Sequence, residues 1–97
     1  MAIYVVLLSF TDQGIRNVKQ TTKGRKAAIA TAEKLGIKFK DNYLTMGAYD
    51  AVGIVDAPND EAITTWALTA GSRGNVRTQT MRAYSVEEMD KILAKVP

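Results

Sequence analysis

Five side chains have the types and spacing to do chemistry together: Tyr43, Tyr49 and Asp50 around one reversal of the chain, and Asn75 and Arg77 further along. An arginine such as Arg77 suits an anionic group, because its guanidinium donates in a fixed fork that matches a carboxylate or phosphate. Asp50 or a tyrosine could give or take a proton from a substrate held within hydrogen-bond reach. Such a site would bind a small anionic ligand or, in an enzyme, act on an anionic metabolite without a cofactor. The same residues also have a structural reading. Asp50 could accept from turn amides or pair with an arginine, Tyr49 could pack in a dimer, and Gly74-Asn75 could shape a turn. Catalytic residues do not follow from this spacing.

The residue inventory removes whole classes of function. The chain has no cysteine and no histidine, so disulfides, thiolate or imidazole metal sites, histidine-based triads and histidine-ligated haem are excluded. It also has no phosphate-binding glycine loop and no metal-ligand spacing, so neither a metal nor a cofactor is expected. A cysteine-free chain is compatible with a reducing cytoplasm, which is the expected compartment. The apolar start, Met1 to Phe10, lacks a basic leader and falls well short of the roughly 20 residues a bilayer requires. It reads as a strand, and no membrane partner is expected.

With 97 residues, 46% hydrophobic and 24% charged, the chain is expected to form a single domain, residues 1–97, with a core of its own. The positions that carry chemistry must be set by its elements. Ala2 to Phe10 is apolar on both faces, with Ile3, Val5 and Leu7 on one and Tyr4, Val6, Leu8 and Phe10 on the other, so it must be covered twice. Thr11-Asp12-Gln13-Gly14 breaks that strand, and one or two helical turns follow between Ile15 and Gln20. A helix from about Lys23 to Leu35 carries Ala28, Ile29, Ala32 and Leu35 at helical spacing and ends at Gly36. Its Lys23, Arg25, Lys26, Glu33 and Lys34 form a solvent-facing side.

Ile37 to about Met46 alternates Ile37, Phe39 and Tyr43 with Lys38, Lys40 and Asn42, as an edge strand should. Gly47 marks the reversal, where a positive φ is needed. Tyr49 to Val55 is again apolar on both faces and belongs inside the sheet. Asn59 caps a second helix whose Ile63, Trp66, Ala67 and Ala70 form an apolar stripe, with Trp66 filling a core or an interface. Asn75 to Tyr84 is the other, more polar edge strand. Ser85 and Glu88 make a capping box for a short terminal helix lined by Met89, Ile92, Leu93 and Val96.

The resulting order, β-α-β-β-α-β with a terminal helix, is the ferredoxin-like pattern, an α+β fold with a four-stranded antiparallel sheet. Helices cover only one face of such a sheet. The other face would expose both central strands, and a second subunit is the simplest cover. Three stretches, Tyr43 to Asp50, Thr11 to Arg16 and Gly74 to Thr78, together resemble the GYD-domain family over essentially the whole chain. The glycine, tyrosine and aspartate of that name fall on Gly47, Tyr49 and Asp50. The resemblance implies a ferredoxin-like fold of the dimeric α/β-barrel kind, with two sheets packed face to face, and it implies no settled activity.

Two kinds of function fit these features. A homo-oligomeric module that binds a small, anionic ligand or builds an assembly ranks ahead of a cofactor-independent enzyme working in the cleft between sheet and helices. The five residues are expected to converge on that cleft. A nucleic-acid role ranks third: the net charge is only +3, and the basic residues lack interleaved surface aromatics. Filter binding at two salt concentrations is expected to find only weak, salt-sensitive retention of RNA or DNA. Sub-micromolar, sequence-selective binding at physiological salt would contradict it.

Overall fold

A strand that is apolar on both faces is stable only inside a sheet, and the computed structural model, which describes residues 1–97, puts two such strands at the centre. The elements are β1 (Ala2–Phe10), α1 (Asp12–Arg16), α2 (Thr21–Lys34), β2 (Lys38–Leu44), β3 (Ala51–Ala57), α3 (Asp60–Ser72), β4 (Val76–Ala83) and α4 (Val86–Leu93), with a 3₁₀ turn at Val18–Gln20. The sheet order is β2-β3-β1-β4, all pairs antiparallel. This is the ferredoxin-like arrangement, with the lysine-bearing β2 and the polar β4 as edges.

The β1 register opposite β3 aligns Tyr4 with Val55, Val6 with Gly53 and Leu8 with Ala51. These residues face α2 and α3. Nine buried residues make the core: Tyr4, Val6, Ala32, Ile37, Val55, Ala57, Ile63, Trp66 and Ala70. Trp66 is its largest fully buried side chain. Its indole N–H donates to the Ala28 carbonyl at 3.0 Å, and its ring meets Phe39 edge-on at 5.5 Å between centroids. The indole thus joins α3 to α2 and to β2 and leaves no buried donor unpaired.

The opposite face carries Ile3, Val5 and Leu7 of β1 beside Val52 and Ile54 of β3. None of these is buried. No helix lies over them, and we refer to this surface as the open face.

Local capping explains where the helices begin. The Asn59 side chain accepts from the Ala62 N–H at 2.9 Å to start α3, and Ser85 and Glu88 form a reciprocal capping box at the start of α4. The first helical turns begin at Asp12 rather than Ile15, because the Thr11 hydroxyl accepts from the Gly14 N–H at 3.0 Å and caps α1. Strand β2 also departs from simple alternation. Its register shifts between Phe39 and Asp41, so that Phe39 pairs with Val55 on the helix face while Tyr43 pairs with Val52 on the open face. A bulge of one residue reverses the facing of all that follows. Tyr43 therefore does not share a face with Ile37 and Phe39.

At the far end of β1, the Tyr4 hydroxyl donates to Asp60 in the first turn of α3. That bond, with burial adding to it, holds the Tyr4 hydroxyl above its ordinary value of 10.0. The folded chain keeps a proton that the unfolded chain gives up, so this contribution to stability is complete below about pH 10 and is lost as the pH rises through the raised value. Urea midpoints of the wild type and Tyr4→Phe between about pH 8 and pH 11 are therefore expected to converge as the pH rises. Parallel curves would refute the linkage.

Candidate functional site

One end of the sheet, where β1 leaves and β2, β3 and β4 have their connections, gathers most of the polar side chains. The β1 exit and the α3–β4 loop are fastened together there. The Thr11 N–H donates to the Asn75 carbonyl at 3.1 Å, and its hydroxyl donates to the Gly74 carbonyl at 2.5 Å. The Gln13 side-chain amide donates to the Arg73 carbonyl at 3.2 Å and to Asn75 Oδ1 at 2.9 Å. Gly14 sits so close that a Cβ on it would fall 1.9 Å from the Asn75 carbonyl oxygen. Only a residue without a side chain permits this approach.

The β2–β3 connection is fastened next to it. Gly47 turns the chain with φ of 107°, a conformation glycine alone adopts freely. The Thr45 N–H donates to the Asp50 carbonyl at 2.9 Å, and the Thr45 hydroxyl to the Tyr49 carbonyl at 2.7 Å. Asp50 then ties the loop to β1 twice. Its N–H donates to the Leu8 carbonyl at 2.8 Å, and its carboxylate Oδ2 accepts from the Phe10 N–H at 2.8 Å. The side chain thus supplies a rung of the ladder just beyond the point where β3 begins. Tyr49 crosses β1 on the open face, where its hydroxyl donates to Gln79 Oε1 of β4 at 2.8 Å.

On the helix face of the same end a cleft of about 400 Å³ opens between α2 and the sheet. Leu8, Phe10, Ala28, Ile29, Phe39 and Trp66 make its apolar wall, while Arg25, Asn42, Asp50, Arg73 and Asn75 supply polar groups. The volume lies within the range of small-molecule sites, which pair an apolar body with a few placed polar groups. Arg73 is held in place by donating to the Thr31 hydroxyl at 2.9 Å. Two guanidiniums against one carboxylate give this lining a positive bias.

Of the five residues read from the sequence, Asp50 and Asn75 line the cleft, and Tyr43 borders it although its position opposite Val52 turns its side chain to the open face. Tyr49 and Arg77 do not. Tyr49 lies on the open face, and Arg77 pairs with Ser9 on that face and borders a separate shallow depression with Thr11 and Thr78. The guanidiniums that line the cleft are instead Arg25 and Arg73. Arg25 falls on the polar side of α2 in a periodicity count, yet the first turns of α2 overhang the sheet and bring it to the cleft. No group of three or more His, Cys, Asp or Glu side chains is placed to hold a metal ion. No helix is long and apolar enough to cross a membrane.

Comparisons with known proteins agree with this architecture. A family model described as GYD domain matches residues 4–93. A relative from Thermus thermophilus, called glutamine synthetase and cystathionine beta-lyase binding protein, is 28% identical over 90 residues, covering 92% of this chain and 95% of that protein. Among solved structures, FFRP-DM1 has a TM-score of 0.57 at 19% identity and covers 87% of this chain and 100% of its own. An ACT domain protein from Streptococcus pneumoniae has a TM-score of 0.51 at 18% identity, over 86% of this chain and 90% of its own. These two likenesses concern the fold.

The fastening of Gly14 to Asn75 yields a direct test. Gly14→Ala must push the Asn75 backbone away and loosen the bonds around it, and is expected to destabilise the protein by about 1–3 kcal/mol in urea unfolding. Gly24→Ala is the control, because nothing lies within 4 Å of a Cβ placed there. A helix-interior glycine replaced by alanine should leave stability unchanged or raise it. Equal behaviour of the two variants would show that the close approach does not matter.

Proposed function

The chain belongs to the GYD-domain family, and we propose that it is a homo-oligomeric binding module in the cytoplasm, its cleft taking a small ligand with an apolar body and an anionic head. The observation that carries this reading is the cleft itself, an apolar pocket of about 400 Å³ with Arg25 and Arg73 among its lining residues. Arginines are matched to carboxylates and phosphates, and the aromatic wall of Phe10, Phe39 and Trp66 offers contact to an apolar portion. Asp50 and Asn75 would orient the ligand, with Tyr43 at the cleft's border. Tyr49 and Arg77, on the open face, would reach a ligand only from a neighbouring subunit.

Binding ranks ahead of catalysis because the carboxylate of Asp50, the best-placed acid or base, already accepts the Phe10 N–H. A base so engaged has less freedom to take a proton from a substrate. Self-association through the open face follows from the uncovered apolar residues of β1 and β3. A second reading, recruitment of another enzyme, is favoured by the Thermus relative, which is described as binding two enzymes. In that case the oligomer itself would present the docking surface.

Thermal-shift measurements with a panel of small carboxylates and phosphate esters test the cleft. At least one compound is expected to stabilise the wild type, by about 2.7 kcal/mol when present at about a hundred times its Kd. Arg25→Gln should melt like the wild type without ligand, because Arg25 is exposed, and should lose most of the shift. Asp50→Asn should retain the fold and alter the affinity. A panel that shifts nothing, or a shift that Arg25→Gln leaves intact, would remove the cleft reading.

A further inference from the structure

Helix α4 has no extensive contact with any other element. Its apolar residues recur on one side: Val86 is 66% exposed, Met89 46%, Ile92 45%, Leu93 56% and Val96, just beyond the helix, 62%. That is the stripe of a docking helix with nothing docked on it. Eight residues are too few to hold a helix in water unaided, where about 12–15 are needed even for favourable sequences. Yet α4 is set at a fixed angle. Arg82 pairs with Glu88 at 3.4 Å, donates to the Ile3 carbonyl at 3.2 Å and lies 4.5 Å from the Tyr84 ring centroid.

The size of the uncovered surface indicates the occupant. The chain exposes 6770 Å², whereas a monomer of 10.6 kDa should expose about 5,500 Å². The excess of about 1,300 Å² per chain is larger than the roughly 800 Å² each partner buries in a standard stable interface. The shape agrees: the radius of gyration is 14.6 Å and the extents are 50 × 31 × 18 Å, against a radius of about 12.5 Å for a compact chain of this length. The α4 stripe is apolar, and so is the centre of the open face, where Ile3, Val5, Leu7, Val52 and Ile54 lie. Each chain thus has an apolar arm and an apolar sheet that a two-fold arrangement can satisfy together.

We propose that α4 is an exchange arm, its Met89, Ile92 and Leu93 stripe packed against a second copy of this chain beside the open face. The inference builds on the self-association proposed above and adds a contact that the sheets alone do not make. Because Met89 and Ile92 are exposed within one chain, a charge on either can still reach water in the monomer. An unchanged melting of the monomer would assign any loss to the assembly.

Sedimentation velocity of the full-length chain at micromolar concentration separates the ideas. The wild type is expected to be a dimer or a multiple of one. Met89→Glu with Ile92→Glu should weaken that dimer about tenfold or more, since each buried carboxylate would lack a partner. Leu68→Glu, at an exposed position on α3, should not. If Ile54→Glu splits the dimer while the α4 variant stays as tight as the wild type, the arm inference falls and the open-face interface stands. If the α4 variant splits it and Ile54→Glu does not, the arm stands without the sheet contact. A monomeric wild type overturns the arm. So would an environment-sensitive dye on Met89→Cys whose burial is independent of protein concentration, because α4 would then be folding back on its own chain.

Discussion

The structure depends on one mismatch between surfaces. Its two central strands are apolar on both faces, but the chain has only α2 and α3 to cover them, and both lie on the same side. On that side the result is a small, well-satisfied core in which Trp66 bridges both helices and β2. On the other side, Val5, Leu7, Val52 and Ile54 remain partly exposed. Each consequence for assembly comes from the second face, and each consequence for ligand binding comes from the first. On the proposed function, the molecule would separate recognition of a small molecule from association with larger ones by the thickness of a sheet.

The glycine, tyrosine and aspartate that mark the family have architectural parts as well as any role toward a ligand. Gly47 permits the reversal, Tyr49 spans the open face to Gln79, and Asp50 completes the hydrogen bonding of β1 at Phe10. The Thr11 to Gly14 stretch and the Gly74-Asn75 pair are partners in the same sense, because they bind each other. These interactions hold the cleft end of the sheet rigid, and a rigid frame is what a preorganised site requires. Asp50, proposed to orient a ligand, is thus also a residue that fixes the frame.

Much of the fold was legible because its signals are local or periodic. The two-sided apolar runs predicted the central strands, Asn59 and the Ser85/Glu88 pair predicted helix starts, and the lysines of β2 predicted an edge. What could not be read depended on a single-residue register or on contacts far apart in the chain. Nothing in Lys38-Phe39-Lys40 announces the bulge that turns Tyr43 to the open face. The bond between Gln13 and Asn75 spans 62 residues, and Arg25 reaches the cleft only because α2 begins directly above the sheet's end. Of the five residues chosen for their chemistry, Asp50 and Asn75, which belong to the two fastened loops, line the cleft. Which face the others take was not legible for a simple reason: period-two alternation says that neighbours face opposite ways, but not which way leads to the helices.

The position of β1 has a consequence for the birth of the chain. Its partners lie at Ala51 to Ala57 and at Val76 to Ala83, so the first strand made is the last to be completed. A ribosome adding about 5–20 residues per second leaves it without a second neighbour for several seconds. Throughout that interval Ile3, Val5, Val6 and Leu7 lie on a strand with at most one neighbour. A sheet that gains its cohesion from a doubly apolar central strand therefore leaves one edge of that strand open to other contacts until residue 83 has emerged.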